Sequence, residues 1–361
     1  MNKKVAIVYD RVNKWGGAER VLLALHEIFP DAPLYTSVYD QKKASWANVF
    51  PKVITSFLQN FPFARSNHEF LAPLMPLAFE SFDFSGFDLV ISVTSEAAKG
   101  IITKPGTRHI CYCLTPTRYL WSHYDEYFKR SSFKGITKPI INYLRKWDKI
   151  AANRPDIMIA ISTEVKSRIK EYYNRDSKIV FPPVEIDKSK NQKINDKWKL
   201  ESGKYFLVVS RLVKYKKVDL AIHAFNKLNY PLKIVGTGRE WEKLKRKAKR
   251  NIEFVGLVGD DKLPEYYQGA KALIMPQEED FGIVAVEAQA NGVPVIAYKK
   301  GGALDTVIDG KTGVFFDTQS TESLVSAIIR FEKMQFVVDN LYTSAKRFSK
   351  ENFQKKIEGL I

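Results

Sequence analysis

The sequence predicts an α/β protein of two doubly wound domains with parallel sheets, and three observations carry that expectation. Short β-rich runs alternate with helix-period apolar patterns along most of the chain, and such alternation implies parallel sheets. The alternation falls into two series, separated at Phe181-Pro182-Pro183-Val184 by prolines and then a polar stretch from Asp187 to Lys199 that reads as an interdomain linker. The chain has 361 residues, too many for one ordinary core and too few for three.

The first series opens with a strand at Val5 to Tyr9, followed by Gly16-Gly17 and a helix whose apolar positions are Val21, Leu22, Leu25 and Ile28. Strands follow at Leu89 to Val93, Ile110 to Cys113 and Ile157 to Ile161, the last two as continuous apolar runs typical of buried strands. The second series begins at Tyr205 to Val209. It continues through Leu232 to Val235, Ile252 to Val255, Ala272 to Met275, Val293 to Ala297 and Gly313 to Phe316. The expected division is an N-terminal domain over residues 1–183 and a C-terminal domain over 184–340. The helical stretch 341–361 either caps the second domain or returns to the first.

Composition bounds the function. Apolar residues make up 45% and charged residues 27%, as in an average folded protein. The apolar run Phe70 to Phe79 is about half of the roughly 20 residues a spanning helix needs, and it contains Pro73 and Pro76. The start of the chain lacks the long apolar run of a signal peptide, so a cytoplasmic location is expected. Cys111 and Cys113 stand at strand spacing, where a disulfide is disfavoured, which fits a reduced compartment. The net formal charge of +17 draws the chain to anionic partners: nucleic acid, an anionic membrane surface, or a phosphorylated small molecule. Basic residues concentrate in Lys129 to Lys149, with Tyr143 and Trp147 among them, and in Lys243 to Arg250. Both runs read as solvated faces, and the first also as a peripheral membrane attachment.

The densest constellation of chemistry is Pro276-Gln277-Glu278-Glu279-Asp280-Phe281-Gly282-Ile283-Val284-Ala285-Val286-Glu287-Ala288, after the strand ending at Met275. In an open α/β sheet this is a strand's carboxyl end, where ligands bind. Gly282 suits the turn, and the amides of Ile283 and Val284 would open a helix and attract phosphate. Glu279 falls on the loop and Glu287 one turn along the helix, each able to accept hydrogen bonds from sugar hydroxyls. A plain helix N-terminus balanced by acidic residues would produce the same acidic cluster. Ser210-Arg211-Leu212-Val213, with Lys216 and Lys217 behind it, follows another strand and supplies cations suited to a diphosphate. Gly236-Thr237-Gly238 and Gly301-Gly302 follow later strands, as phosphate-approach glycines or as simple turns.

Several segments together resemble the retaining glycosyltransferases of family 4. They are GGAER at Gly16 to Arg20, SRLVKYKKVDLAIHAF at Ser210 to Phe225, VGTGRE at Val235 to Glu240 and FVGLV at Phe254 to Val258. The resemblance continues with EDFGIVAVEAQANGVPVIA at Glu279 to Ala297, the pair at Gly301, and DGKTGVFF at Asp309 to Phe316. It implies a GT-B fold, two Rossmann-like domains with parallel sheets facing across a cleft. It further implies that Glu279 holds hydroxyls of the donor sugar and Glu287 the nucleotide ribose, while Arg211 and Lys216 bind the donor diphosphate. Gly16 and Gly17, with Glu19 beside them, would approach the donor phosphates from the other domain. Gly256, Leu257 and Val258 resemble the segment lining the nucleotide base, and Phe281, Gly282, Ile283 and Val284 complete the donor cradle. Lys217 stands where many members carry glycine, which implies a differently shaped loop.

One departure stands out. Related members often place a histidine before Thr-Pro, near the reacting sugar, whereas this chain reads Cys113-Leu114-Thr115-Pro116-Thr117-Arg118. Leu114 takes the histidine's place, His109 is expected at a strand edge and His123 at the surface, and Arg118 is the better polar candidate for an acceptor or donor contact. No Asp-x-Asp pair or His/Cys/Asp cluster has ligand spacing, so neither a metal nor a resident cofactor is expected. The donor would be GDP-mannose or another nucleotide sugar, the acceptor a glycan or lipid-linked glycan, with the enzyme cytoplasmic and peripheral at the inner face of the cell membrane. The HICYC, TPTRYLW and SRLVKYKKVDLA segments resemble those of mannosyltransferases of surface polysaccharide assembly. Two rival readings stand: a sugar-nucleotide 2-epimerase on the same architecture, and a basic nucleic-acid-binding protein. The second lacks an aromatic stacking platform or groove-reading motif, so no specific nucleic acid is expected.

Overall fold

The computed structural model describes residues 3–62, 68–122, 124, 134–186 and 203–361. The chain divides into two compact units, one formed by Met1–Pro182 with Gln354–Ile361 and the other by Pro183–Phe353. The polar stretch from Asp187 to Lys199, His123, the beginning of the basic run at Lys129 and residues 63–67 lie outside the described residues.

The first unit holds a seven-stranded sheet in the order β3-β2-β1-β4-β5-β6-β7. The strands are β1 (Val5–Tyr9), β2 (Leu34–Thr36), β3 (Val53–Thr55), β4 (Leu89–Thr94), β5 (Arg108–Cys113), β6 (Ile157–Ala160) and β7 (Lys178–Ile179). Every pairing is parallel, and β1 runs against β4 from Val5↔Leu89 to Tyr9↔Val93. All residues of β1 and β4 are buried, as befits central strands of a parallel sheet covered on both faces. The helices are α1 (Gly17–Ile28), α2 (Met75–Glu80), α3 (Lys134–Ala151) and α4 (Thr163–Tyr173). Ser162 caps α4 by accepting the Val165 amide at 3.1 Å, and Asn174 closes it in the left-handed conformation.

His109 corrects an expectation. It is not at an edge: β5 lies between β4 and β6, and His109 is 1% exposed with Nε2 2.8 Å from Ser92 Oγ. Burial, aided by the charges of Arg175 and Arg154, pushes the imidazole down to about 3. It sits at the amino end of β5, away from the strand ends where ligands bind. The unfolded chain takes up this proton near pH 6.5 and the folded chain does not. Stability is therefore full above that pH and drains as pH falls toward 3. Between pH 7 and pH 5 the loss expected from His109 alone is about 2 kcal/mol. Urea unfolding of wild type and His109→Gln at both pH values measures it; equal slopes in the two proteins would refute the assignment. Cys111 and Cys113 are buried free thiols, Cys111 pushed up to about 11 by burial.

The second unit holds a six-stranded parallel sheet in the order β10-β9-β8-β11-β12-β13. Its strands are β8 (Tyr205–Val209), β9 (Leu232–Val235), β10 (Ile252–Gly256), β11 (Ala270–Met275), β12 (Val295–Tyr298) and β13 (Gly313–Phe316). Alternate side chains feed two cores. Phe206, Val208, Ile234, Ala272, Ile274, Val314 and Phe316 pack on one face against α5 (Val218–Leu228) and α10 (Thr321–Phe331). Leu207, Val235, Leu273, Met275, Val295, Ala297 and Phe315 pack on the other, against α7 (Leu263–Gln268) and α8 (Ile283–Ala290). The remaining helices are α6 (Trp241–Lys247), α9 (Ala303–Thr306), α11 (Val338–Lys346) and α12 (Lys350–Glu358). The basic run from Lys243 is a solvated face: of Lys243 to Arg250, only Leu244 is buried and Ala248 half-buried. The chain leaves β8 outward through β9 and β10, then returns to β11 on β8's other side. That reversal puts a topological switch point between β8 and β11, the place where open sheets bind ligands.

Candidate active site

Both sides of the switch point carry charge. From β8 the chain runs through Ser210–Val213 into a 3-10 turn, Lys214–Lys216. From β11 it runs through Pro276 to Gly282 into α8. The two loops meet where Lys216 Nζ donates to Glu279 Oε1, an ion pair whose side chains are 13% and 15% exposed. Gln277, buried, donates to the same oxygen from Nε2 at 2.8 Å. With Oε1 doubly engaged, Oε2 has no protein hydrogen bond among the described residues and is placed to accept from a hydroxylated ligand. Gln277 escaped the sequence reading. A glutamine two positions before a glutamate has no motif, and only its burial shows that it sets the carboxylate's orientation.

Arg211 is exposed and donates from Nη2 to Tyr215 Oη at 2.6 Å, so it stands beside the Lys216 turn rather than on Glu279. Lys217, where a reshaped loop was expected, has φ 51 and ψ 30. The lysine thus takes the left-handed backbone that glycine adopts at least cost, and the turn keeps a glycine's geometry. Lys217→Gly is expected to raise stability by about 1 kcal/mol, read as a higher urea midpoint; a lower midpoint would contradict this.

Gly282 caps α8 at φ 90, again left-handed, and the first amides of α8 at Ile283 and Val284 face outward as in any first helical turn. No acidic residue occupies that turn, so its positive end is left for an anion. Phe281 contributes backbone only, because its ring is buried edge-on against Phe348 at 5.3 Å. Glu287, half-buried on α8, accepts from Tyr267 Oη at 2.9 Å, which fixes its carboxylate next to α7. Gly256 ends β10 at φ 91 after a register shift, Leu257 is 82% exposed, and Val258 packs with Val284 on the core that holds Tyr267. Gly256 to Val258, the start of α8 and Glu287 therefore border one end of the sheet.

The glycine pairs have packing reasons. A Cβ on Gly236 would lie 1.9 Å from the Ser210 carbonyl oxygen, and one on Gly238 2.3 Å from that of Leu212, so these glycines let β9 carry the Arg211 loop. Gly301 and Gly302 do the same for Glu279: the Gly302 amide donates to the Glu279 carbonyl at 2.7 Å. Gly16 and Gly17, in the first unit, open α1 with an extended Gly16. Glu19 beside them is buried and accepts from Tyr9 Oη at 2.9 Å, a structural anchor for that turn. Leu114 and Arg118 lie half-buried in the loop after β5.

Known proteins resemble this chain in fold and in the sequence of its second half. Residues 189–354 match the family model of glycosyl transferases group 1. An uncharacterized glycosyltransferase of Methanocaldococcus jannaschii is 26% identical over 242 residues, 65% of this chain and 64% of that protein. The GDP-mannose-dependent alpha-(1-6)-phosphatidylinositol monomannoside mannosyltransferase of Mycolicibacterium smegmatis is 28% identical over 201 residues, 49% of this chain and 53% of that protein. Both matches thus span less than two thirds of the relative's length. Among solved structures, HepE of Anabaena in complex with UDP and glucose superposes with a TM-score of 0.70 at 19% identity over 99% of each chain. Sucrose-phosphate synthase from Thermosynechococcus elongatus superposes with 0.74 at 16% identity, over 99% of this chain and 98% of that one. The fold is the GT-B fold of these solved structures, and residues 189–354 are similar to the glycosyl transferases group 1 family.

Proposed function

We propose that the chain is a retaining glycosyltransferase that moves a hexose, mannose from GDP-mannose by preference, from a nucleotide diphosphate sugar to a glycan or lipid-linked acceptor. The observation that carries this reading is the meeting of Lys216 and Glu279 at the switch point, with a helix start that has no side-chain cap and Glu287 beside them. Breaking the sugar–phosphate bond builds negative charge on the departing diphosphate. Arg211, Lys216 and the amides of Ile283 and Val284 are the groups that would stabilise it, each such donor being worth about 10²–10³ in rate. Glu279 Oε2 would hold donor-sugar hydroxyls, Glu287 the ribose, and Gly256 to Val258 the base. In the retaining course the acceptor oxygen attacks on the face the leaving group departs, and the leaving phosphate takes its proton. Gly16 and Gly17 are assigned to the donor phosphates on the resemblance alone.

The preference for GDP-mannose draws support from the named specificity of the mycolicibacterial relative, whereas a second HepE structure, in complex with UDP-glucose, makes that donor the natural competitor. A panel of both, with GDP-glucose and UDP-galactose, scored by thermal stabilisation and donor hydrolysis, decides between them. A donor at 100 times its Kd adds about 2.7 kcal/mol of stability. No stabilisation by any sugar nucleotide would sink the reading.

A membrane-surface acceptor is part of the same proposal. Among the described residues no helix is long and apolar enough to cross a membrane. On α3, however, Ile140, Tyr143 and Ile150 are 40%, 53% and 61% exposed, with Lys138, Lys146 and Lys149 exposed among them. An amphipathic basic helix with an exposed tyrosine suits an anionic lipid surface. Co-sedimentation with phosphatidylglycerol vesicles, weakened by salt and by Ile150→Glu, is the expected result.

A further inference from the structure

A buried ion pair in the first unit has no part in the donor chemistry. Lys99 lies in the 3-10 turn Ala98–Gly100 after β4, and Asp148 lies on α3. Each side chain is 1% exposed, and Nζ stands 2.6 Å from Oδ1. Lys99 also donates to the Glu96 carbonyl and to Thr117 Oγ1 at 3.3 Å. Asp148 accepts from Thr117 Oγ1 at 3.0 Å, from the Trp121 indole at 2.7 Å and from Tyr173 Oη at 2.8 Å. Burial alone would lower the lysine's pKa; Asp148 reverses this and raises it above the ordinary value, so the lysine is held ionised.

Stability does not explain such a pair, because apolar side chains of similar volume often serve a core as well or better. What two charges add is directional bonding, and here most of it goes to one loop. Thr117 and Trp121 flank Arg118 and Tyr119 on the segment after β5, at the carboxyl edge of the first sheet. With its indole tied to Asp148, Trp121 stacks on Tyr172 at 5.3 Å and 11°. Tyr119 in turn donates to Glu96 Oε1 at 3.0 Å, and Glu96 pairs with Arg11 at 2.8 Å. The loop is thereby fixed at Thr117, Tyr119 and Trp121.

We propose that Lys99 and Asp148 form a positioning pair that holds the loop Leu114–Trp121 in the geometry with which Arg118 and Tyr119 meet a hydroxylated acceptor. The inference rests on the glycosyltransferase reading and deepens it, since neither residue touches substrate. Removing one partner strands a buried charge, so single variants confuse positioning with folding. The double variant Lys99→Met/Asp148→Leu removes the charges together, and its melting temperature reports whether the larger leucine is accommodated.

Two measurements on the full chain test it. In hydrogen exchange, the bonded amides of Leu114, Leu120 and Trp121 are expected to lose protection about tenfold or more in the double variant, with β8 to β13 unchanged. In turnover with octyl mannoside as acceptor and the donor that the panel selects, transfer is expected to fall by about 10²-fold relative to acceptor-free hydrolysis of the same donor. Hydrolysis itself should be unchanged. Wild-type protection in the loop, or a wild-type ratio of transfer to hydrolysis, overturns the proposal. If wild type turns over no sugar nucleotide, the glycosyltransferase reading fails, and the exchange result still decides whether the pair holds the loop.

Discussion

Glu279→Ala is expected to lower kcat/KM for sugar transfer about 10³-fold while the protein stays folded. The side chain takes no part in either core, and the loop's backbone bond to Gly302 uses the Glu279 carbonyl, which alanine keeps. Its ion pair with Lys216 is partly exposed, so its loss costs stability only about 1 kcal/mol or less. Function bears the cost instead. Without Glu279 the sugar loses its carboxylate, and Lys216 loses the partner that holds its ammonium at the switch point. Glu279→Gln separates these effects, since the amide keeps the shape and an acceptor oxygen but lacks the charge that orients Lys216. If Lys216 placement dominates, Gln and Ala fall together; if hydroxyl binding dominates, Gln retains more donor affinity. Near-wild-type turnover in Glu279→Ala, with an unchanged melting temperature, would remove Glu279 from the site.

The parts legible in sequence were those with a period or a spacing. Each strand of the second sheet was recognised within two residues at either end, because buried parallel strands are continuous apolar runs bounded by turns. In the first unit β2, β3 and β7 were missed. They have three, three and two residues, too few to show a period, and the sheet rather than local propensity makes them strands. The Glu279 and Glu287 spacing was legible, as were Lys216 and the helix start at Gly282. The roles of Gln277 and of the Lys99–Asp148 pair were not, because both depend on contacts between segments distant in sequence or on burial. His109 was misplaced for the same reason: its neighbours on β4 and β6 come from other parts of the chain.

The same dependence on packing makes Gly302 as decisive as any charged residue. Its φ of −63 is open to every amino acid, so Gly302→Ala carries no backbone strain. The obstacle is contact: the added Cβ would lie 2.3 Å from Phe281 Cα and 2.4 Å from the Phe281 carbonyl oxygen, and backbone cannot step aside as a flexible side chain can. The loop from Glu279 to Gly282 must move, and with it the carboxylate, the Gly282 turn and the first amides of α8. A displacement near 1 Å is enough to cost about 10²-fold in turnover. Gly302→Ala is therefore expected to reduce donor hydrolysis and transfer together by about that factor, although the residue offers no group to chemistry. Gly310→Ala is the matched control. There the backbone is left-handed at φ 72, and the added Cβ meets only the Met334 terminal carbon at 3.9 Å. That variant should lose about 1 kcal/mol of stability and keep its turnover. If Gly302→Ala matched wild type in hydrolysis, the position of the Glu279 loop would not govern the reaction, and the donor site would have to be sought elsewhere on the sheet.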